Sequence, residues 1–357
     1  MDIVKIDPNL KLASALEEKD IVWNNALGEP FRLCGATAQN SPDAPLMRIP
    51  QEIAKSVSDG VAWLNRHTAG IRVRFATDSP YIAVKMEWGG FRFMGHMAGA
   101  GSSGADLYRV KDGVHRFVGA VFPGYNYEEV TQGVEGLIRV PAEMTDYVLG
   151  LPLYNDVDRL YIGVKEGCRL TAGVEEYRNE KPVIFYGSSI TQGGCASRPG
   201  NCYQGHLSRS LNMDYINLGF SGSAKGEQEI ADYIASLDMA AFVLDYDHNA
   251  PNPEHLKKTH YNFYETVRRA HPDLPIMMIS RPDYAGSWDA NQRLAVIADT
   301  YHRAVESGDQ NVYFINGADF FAGELADSCT VDGCHPTDLG FYFMAQVIGP
   351  VLKRILF

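Results

Sequence analysis

The spacing of the hydrophobic residues changes near residue 180, and this change constrains the fold more than any other feature of the chain. Before it, apolar and polar residues alternate, as at Ile71, Val73 and Phe75 and again over 82–88. After it, short apolar runs are separated by longer stretches with helical periodicity. Alternation of period two indicates half-buried strands. Runs that alternate with helices indicate a parallel sheet covered on both faces.

The amino-terminal half has the turns of an antiparallel β protein. Lys111-Asp112-Gly113 separates two strand-like runs, and Asp-Gly in that position is a strong hairpin signal. Further strand-like runs lie at 136–140, 147–153 and 159–164. Several short strands with frequent turns predict a β-sandwich or jelly roll with few helices.

A charged segment over 175–182 ends in Pro182 and is typical of a linker. We therefore predict a β-sandwich accessory domain over 1–178 and a second, α/β domain over 179–357. The predicted strands of the second domain are 183–186, 215–218, 241–244, 276–279 and 312–315, with helices over 254–270 and 290–307.

Composition limits the possible partners and ligands. The chain has 357 residues, 45% of them hydrophobic, and a formal net charge of -12. That charge argues against a nucleic acid or an anionic membrane as partner. The six cysteines form no CxxC pair and no zinc spacing, so no metal is predicted, and whether any pair is oxidised stays open. The segment 1–8 lacks the charged-then-apolar pattern of a signal peptide, which predicts a cytoplasmic protein unless a leader was removed.

The stretch 183–194 has the pattern of a strand that delivers a nucleophile. An apolar run gives way at Gly187 to Ser188, Ser189 and then Gly193, so the chain can turn sharply into a helix. Ser189 on this turn would lie at the carboxyl edge of the sheet. Its backbone N–H, near a helix start, would face a developing oxyanion.

An acid and an imidazole stand three residues apart near the carboxyl terminus, at Asp332 and His335. A serine hydroxyl needs a base at neutral pH, and the base needs a partner that fixes its tautomer. We therefore predict that Asp332 orients His335, which activates Ser189.

Two further loops leave predicted strand ends. The first contains Gly219 and Gly222, either of which could bring a backbone N–H close to a substrate oxygen. The second contains Asn249, whose side-chain amide could donate to the same oxygen. Asp245, Asp247 and Asn249 also have the spacing of the first three ligands of a calcium-binding loop. The glycine and the glutamate that such a loop needs are missing.

These four segments together resemble the SGNH hydrolases, the GDSL-type esterases, over roughly residue 182 to the carboxyl terminus. The resemblance implies a flavodoxin-like, three-layer domain with Ser189 as nucleophile and Asp332 and His335 completing a triad. It assigns the oxyanion hole to Ser189, Gly222 and Asn249, with Gly219 the less favoured glycine. The chain departs from the family pattern in having Ser188 and Ala250 where aspartates are usual.

The segment Gly104-Ala105-Asp106-Leu107-Tyr108 resembles the Gly-x-Asp-Leu-Tyr signature of the β domain that precedes some of these esterases. The resemblance implies a serine esterase that removes a small acyl group, most simply acetyl, from a carbohydrate and needs no cofactor. Two alternatives stay open: a lysophospholipase or thioesterase with the same residues, and an inactive carbohydrate-binding protein. The substrate would be a small-molecule or oligosaccharide ester, and the sequence does not predict the oligomeric state.

Overall fold

The structure is a computed structural model that describes residues 16–91, 93–124, 132–282 and 286–357. Two antiparallel sheets form the amino-terminal half. The four strands of the first sheet are β1 (Ile21–Asn25), β4 (Tyr81–Glu87), β7 (Gly133–Arg139) and β9 (Arg159–Lys165), in the spatial order β1-β9-β4-β7. The second sheet contains β2 (Arg32–Cys34), β3 (Arg72–Thr77), β5 (Ala105–Lys111), β6 (Val114–Val121), β8 (Thr145–Gly150) and β10 (Leu170–Thr171). Its order is β10-β3-β8-β5-β6, with β2 paired to β3.

The two sheets share one hydrophobic core, as a β-sandwich does. Phe75 and Leu107 from the second sheet and Val84 and Ile162 from the first are fully buried in it. The predicted hairpin joins β5 to β6 at Asp112 and Gly113, which both have positive φ. Positive φ at both central residues is the geometry that an Asp-Gly hairpin turn requires. The predicted β-sandwich is confirmed.

Five parallel strands form the third sheet, and each lies on a predicted apolar run. They are β11 (Val183–Gly187), β12 (Tyr215–Gly219), β13 (Ala241–Asp245), β14 (Ile276–Ile279) and β15 (Val312–Ile315). The spatial order β12-β11-β13-β14-β15 is that of a flavodoxin-like sheet, as predicted. In such a sheet, ligands bind at the carboxyl ends of the strands near the point where the order reverses, here beside β11 and β13.

Helices cover both faces of the parallel sheet. The longer ones are α5 (Tyr203–Leu211), α6 (Gln228–Ala235), α7 (Pro253–Ala270), α8 (Ala290–Glu306) and α9 (Asp338–Leu356). Helices α5 and α9 pack against one face, and α6, α7 and α8 pack against the other. The shorter helices are α1 (Gln51–Val57), α2 (Asp59–Leu64), α3 (Gly99–Ser102) and α4 (Ser189–Gln192). The sheet is therefore the middle of three layers.

Helices α1 and α2 come from the amino-terminal half but pack in the core of the parallel sheet. Ala54, Val61 and Leu64 are buried in one cluster with Ile184 and Ile216 of the sheet. The alternation of apolar and polar residues in the amino-terminal half did not predict these two helices. The division at residue 178 stays a prediction.

Helix α9 is long and apolar enough to cross a membrane by length and composition alone. Its buried residues recur every three or four positions, at Phe341, Met344, Ile348 and Leu352, and they pack against the parallel sheet. This spacing is that of an amphipathic core helix. The same test is passed by the core helices of soluble proteins.

Candidate active site

The strand β11 delivers Ser189 to the carboxyl edge of the parallel sheet. Ser188 caps α4, because its hydroxyl accepts a hydrogen bond from the N–H of Ile190 at 3.2 Å. Ser189 is then the first residue of α4, whose first-turn N–H groups have no acceptor inside the helix. A β-carbon at Gly187 would overlap Thr191 and the carbonyl of Asp245, so only glycine allows this close turn.

The structure brings Ser189, His335 and Asp332 into one chain of hydrogen bonds. Ser189 Oγ lies 3.0 Å from His335 Nε2, and His335 Nδ1 lies 2.8 Å from Asp332 Oδ2. The other carboxylate oxygen, Asp332 Oδ1, accepts hydrogen bonds from the N–H groups of Cys334 and His335 at 3.0 and 2.8 Å. A hydroxyl, a base and an orienting acid at these distances are the arrangement that nucleophilic catalysis requires.

The pKa of Asp332 keeps this carboxyl ionised. Burial raises the pKa, but hydrogen bonds from the His335 backbone and ring and from the Cys334 N–H outweigh it, so the pKa falls to about 2. The Cys334 thiol and, after it, Asp332 raise the pKa of His335 above its ordinary value, against the opposing effect of burial. The charged imidazolium, which forms when the ring takes a proton, is therefore stabilised.

The two loops predicted to supply oxyanion donors meet beside α4. The N–H of Gly222 donates to Asn249 Oδ1 at 3.2 Å, and Asn249 Nδ2 donates to the carbonyl of Phe220 at 2.9 Å. Gly219, in contrast, ends the buried strand β12 and donates its N–H to Asn217 Oδ1 at 2.8 Å. Of the two glycines, the structure places Gly222 next to Asn249.

Residues of the amino-terminal half contact the backbone of the site, and sequence reasoning missed them. The Tyr154 hydroxyl donates to the carbonyl of Ser189 at 3.1 Å. The buried Arg48 guanidinium donates to the carbonyls of Asn217 at 3.1 Å and Gly219 at 2.6 Å. No local pattern marks either residue, because each contact joins positions that are far apart in the sequence.

The Gly-x-Asp-Leu-Tyr segment holds the loop that follows the candidate nucleophile. Asp106 is fully buried and accepts hydrogen bonds from the N–H of Gly200 at 2.8 Å and the Tyr108 hydroxyl at 2.9 Å. A β-carbon at Gly104 would overlap the carbonyl of Ala100. The motif therefore has a structural role that the sequence alone did not assign.

A cleft of about 470 Å³ adjoins the site. Tyr154, which contacts the Ser189 carbonyl, forms part of its wall, and Ser221, the neighbour of Gly222, forms another part. The remaining lining residues come from the amino-terminal half and are Trp63, Leu64, His67, Phe93 and Met94. The two halves of the chain thus build this cleft together.

The six cysteines all lie in the described part of the chain and are free thiols. Cys334 Sγ lies 2.8 Å from His248 Nε2, next to the candidate base. Cys195 is buried, and its Sγ lies within 4.8 Å of a ring nitrogen of His335. Thiols are therefore part of the surroundings of His335.

A buried carboxyl group beneath α4 makes stability depend on pH. Burial, followed by the charge of Asp247, raises the pKa of Asp245 to about 8 against hydrogen bonds from Thr191 and Tyr203. A raised pKa favours the folded protein at low pH, and this contribution is lost as the pH rises from about 4 through 8. We expect Asp245→Asn to abolish this dependence on pH. In the wild type, the free energy of unfolding should fall by at most about 1.4 kcal/mol for each unit by which the pKa is raised.

Urea unfolding of the wild type and Asp245→Asn between pH 5 and pH 9 measures the difference directly. The exposed Asp273→Asn serves as control and should follow the wild type. Parallel curves for the wild type and Asp245→Asn would mean that Asp245 does not titrate in this range.

Two family models and a solved structure show which family this chain belongs to. A model of the GDSL-like lipase/acylhydrolase family matches residues 180–353. A second model, GxDLY, the N-terminus of SGNH-hydrolase-type esterases, matches residues 21–170. A solved structure from Bacteroides ovatus, described as a GDSL-like lipase, is 30% identical, covers 94% of this chain and 98% of its own, and has a TM-score of 0.84. The chain belongs to the GDSL-like lipase/acylhydrolase family.

Two more distant members of this SGNH fold share the whole architecture. The salicylyl-acyltransferase SsfX3 from a tetracycline biosynthetic pathway is 19% identical with a TM-score of 0.78, over 96% of this chain and 100% of its own. The acetyl xylan esterase Est2A from Butyrivibrio proteoclasticus is 12% identical with a TM-score of 0.59, over 94% of this chain and 98% of its own. At these identities the likeness shows the fold alone. A search of the curated proteins finds no match.

Proposed function

We propose that this esterase-family protein removes acetyl groups from hydroxyl oxygens of a carbohydrate, with Ser189 as nucleophile. The observation that carries the proposal is the chain of hydrogen bonds from Ser189 Oγ through His335 to Asp332, at 3.0 and 2.8 Å. It lies at the carboxyl ends of the parallel strands, where this type of sheet binds its ligands.

The reaction has two halves. His335 Nε2 takes the hydroxyl proton of Ser189 while Oγ attacks the acetyl carbonyl carbon, and the ring then gives this proton to the departing sugar oxygen. An acetyl-serine remains. Water attacks it with His335 as base again, which releases acetate and restores Ser189. Asp332 holds the ring and stabilises its charged form throughout.

The negative oxygen formed in each half needs donors. The N–H of Ser189, the N–H of Gly222 and the Asn249 amide supply them in our proposal. In the resting structure the Gly222 N–H donates to Asn249 Oδ1, and in our proposal the substrate oxygen replaces this acceptor. Loss of one such donor typically lowers the rate by about 10²–10³-fold.

The adjoining cleft supports a carbohydrate substrate. Trp63 and Phe93 in its wall are exposed, with relative exposures of 42% and 69%, and present apolar faces of the kind that sugar rings pack against. Est2A, which shares the fold, is an acetyl xylan esterase. The net charge of -12 also suits a neutral substrate.

A panel of esters tests the proposal. We expect acetate release from acetylated xylan, and a kcat/KM for p-nitrophenyl acetate at least about tenfold above that for p-nitrophenyl octanoate. Turnover of long-chain esters, lysophospholipids or thioesters alone would overturn the acetyl proposal. Glycan binding without hydrolysis of any ester would instead favour the inactive carbohydrate-binding protein.

A further inference from the structure

Three metal-ligating side chains from separate segments meet at the proposed catalytic base. The ligand atoms of His96, Cys195 and His335 all lie within 4.8 Å of one another. We propose that this cluster, which we call the thiol–imidazole cluster, binds Zn²⁺ and that the bound metal withdraws His335 from Ser189.

The backbone places each member of the cluster. Cys195 follows the end of α4 with a φ of 75°, and its side chain is buried. His96 is exposed, and the centroid of its ring lies 5.6 Å from that of His335. A β-carbon at Gly194 would lie 3.2 Å from His335 Cδ2. The backbone beside Cys195 therefore faces the edge of the His335 ring that also carries Nε2.

The donor set suits zinc. Zinc binds imidazole nitrogen at about 2.0–2.1 Å and thiolate sulfur at about 2.3 Å, so ligands of a tetrahedral site stand roughly 3.5 Å apart. The ligand atoms of His96, Cys195 and His335 would have to move roughly 1 Å closer together to reach this spacing. Nitrogen and sulfur ligands select zinc over magnesium or calcium. Cys195 gives up its thiol proton to solvent on binding, and the fourth position takes a water molecule.

The side chains of His96 and Cys195 make fewer hydrogen bonds than those of the neighbouring Asp332 and Cys334. Asp332, Cys334 and His335 form a second group with the same spacing. In that group Asp332 already accepts hydrogen bonds from two N–H groups and the ring, and Cys334 contacts His248. Among the residues that the structure describes, the side chains of His96 and Cys195 make no hydrogen bond, so binding breaks only the contacts of His335.

Coordination through His335 Nε2 replaces its hydrogen bond to Ser189 Oγ, because one lone pair cannot serve both. Zinc should therefore inhibit ester hydrolysis. This consequence rests on the proposed function, whereas the binding of the metal does not.

Cadmium, which resembles zinc and gives an ultraviolet thiolate-to-metal absorption band, tests binding without any substrate. We expect metal-free wild type to give this band on titration with Cd²⁺, and Zn²⁺ to displace it. The band should disappear in Cys195→Ser, and binding should weaken at least about tenfold in His96→Gln, which loses one ligand. Cys168→Ser and the exposed His302→Gln are the matched controls and should behave as the wild type.

Hydrolysis of p-nitrophenyl acetate tests the consequence, with each variant compared with its own rate without metal. Zinc should inhibit the wild type, EDTA should reverse the inhibition, and the concentration for half-inhibition should rise at least about tenfold in His96→Gln. A missing band, or a band that persists in Cys195→Ser, would overturn the metal site. A band without inhibition would overturn the inhibitory role. A protein inactive on all esters contradicts the proposed function, yet the cadmium titration still decides the metal site.

Discussion

Ser189→Ala should lower the rate of p-nitrophenyl acetate hydrolysis by about 10⁴–10⁶-fold, because no other group in the proposed mechanism forms the acyl-enzyme. His335 would keep its hydrogen bond to Asp332 in this variant, so the fold and the orientation of the ring should be unchanged. Steady-state kinetics measures the loss, and circular dichroism checks the folding of the variant. Mass spectrometry after rapid quenching should show an acetylated Ser189 in the wild type only.

The neighbouring Ser188 provides the matched control. Its hydroxyl caps α4 without reaching His335, so Ser188→Ala should lower stability by about 0.5–2 kcal/mol and leave acyl-enzyme formation in place. Equal activity in the wild type and Ser189→Ala would remove Ser189 from the mechanism. The ester turnover would then come from another group.

Asp332→Asn should lower kcat by about 10³–10⁴-fold with little change in KM. The asparagine can still accept the N–H bonds of the loop through its remaining oxygen, so the backbone from Asp332 to His335 should hold its shape. The amide nitrogen would instead donate towards His335 Nδ1. That reversal favours the tautomer in which Nε2 carries the proton and cannot accept one from Ser189.

The exposed Asp327, on the same segment and without a hydrogen bond to His335, is the control for a change of charge. Asp327→Asn should keep the wild-type rate. A loss below about tenfold in Asp332→Asn would contradict its proposed role as the orienting acid. His335 would then be oriented by other contacts.

Local patterns were sufficient to predict the five parallel strands and two of the longer helices, α7 and α8. Each of the five parallel strands is a short run of fully or largely buried apolar residues, as the Val183–Gly187 strand shows, so hydrophobicity alone marks them. The Asp112-Gly113 turn was predictable because few other residues adopt its backbone geometry. Ser189 and the Asp332–His335 pair could be named because their chemistry requires particular residue types at strand ends and short spacings.

Contacts between distant segments could not be predicted in this way. Helices α1 and α2 have their buried face set by the parallel sheet, which is formed more than 100 residues later. Arg48 and Tyr154 contact the site only in the complete fold, because each contact joins the two halves of the chain. The thiol–imidazole cluster also joins three separate segments, so the search for a CxxC spacing could not have found it.

The hydrogen bonds from Arg48 and Tyr154 to the backbone of the site have a consequence for how such proteins diversify. A binding module that is merely attached to an enzyme can be exchanged for another without harm to the chemistry. Here the amino-terminal half supports the strand end at Gly219 and the carbonyl of Ser189, and it also lines the cleft. The two halves must therefore be inherited, and engineered, as a matched pair.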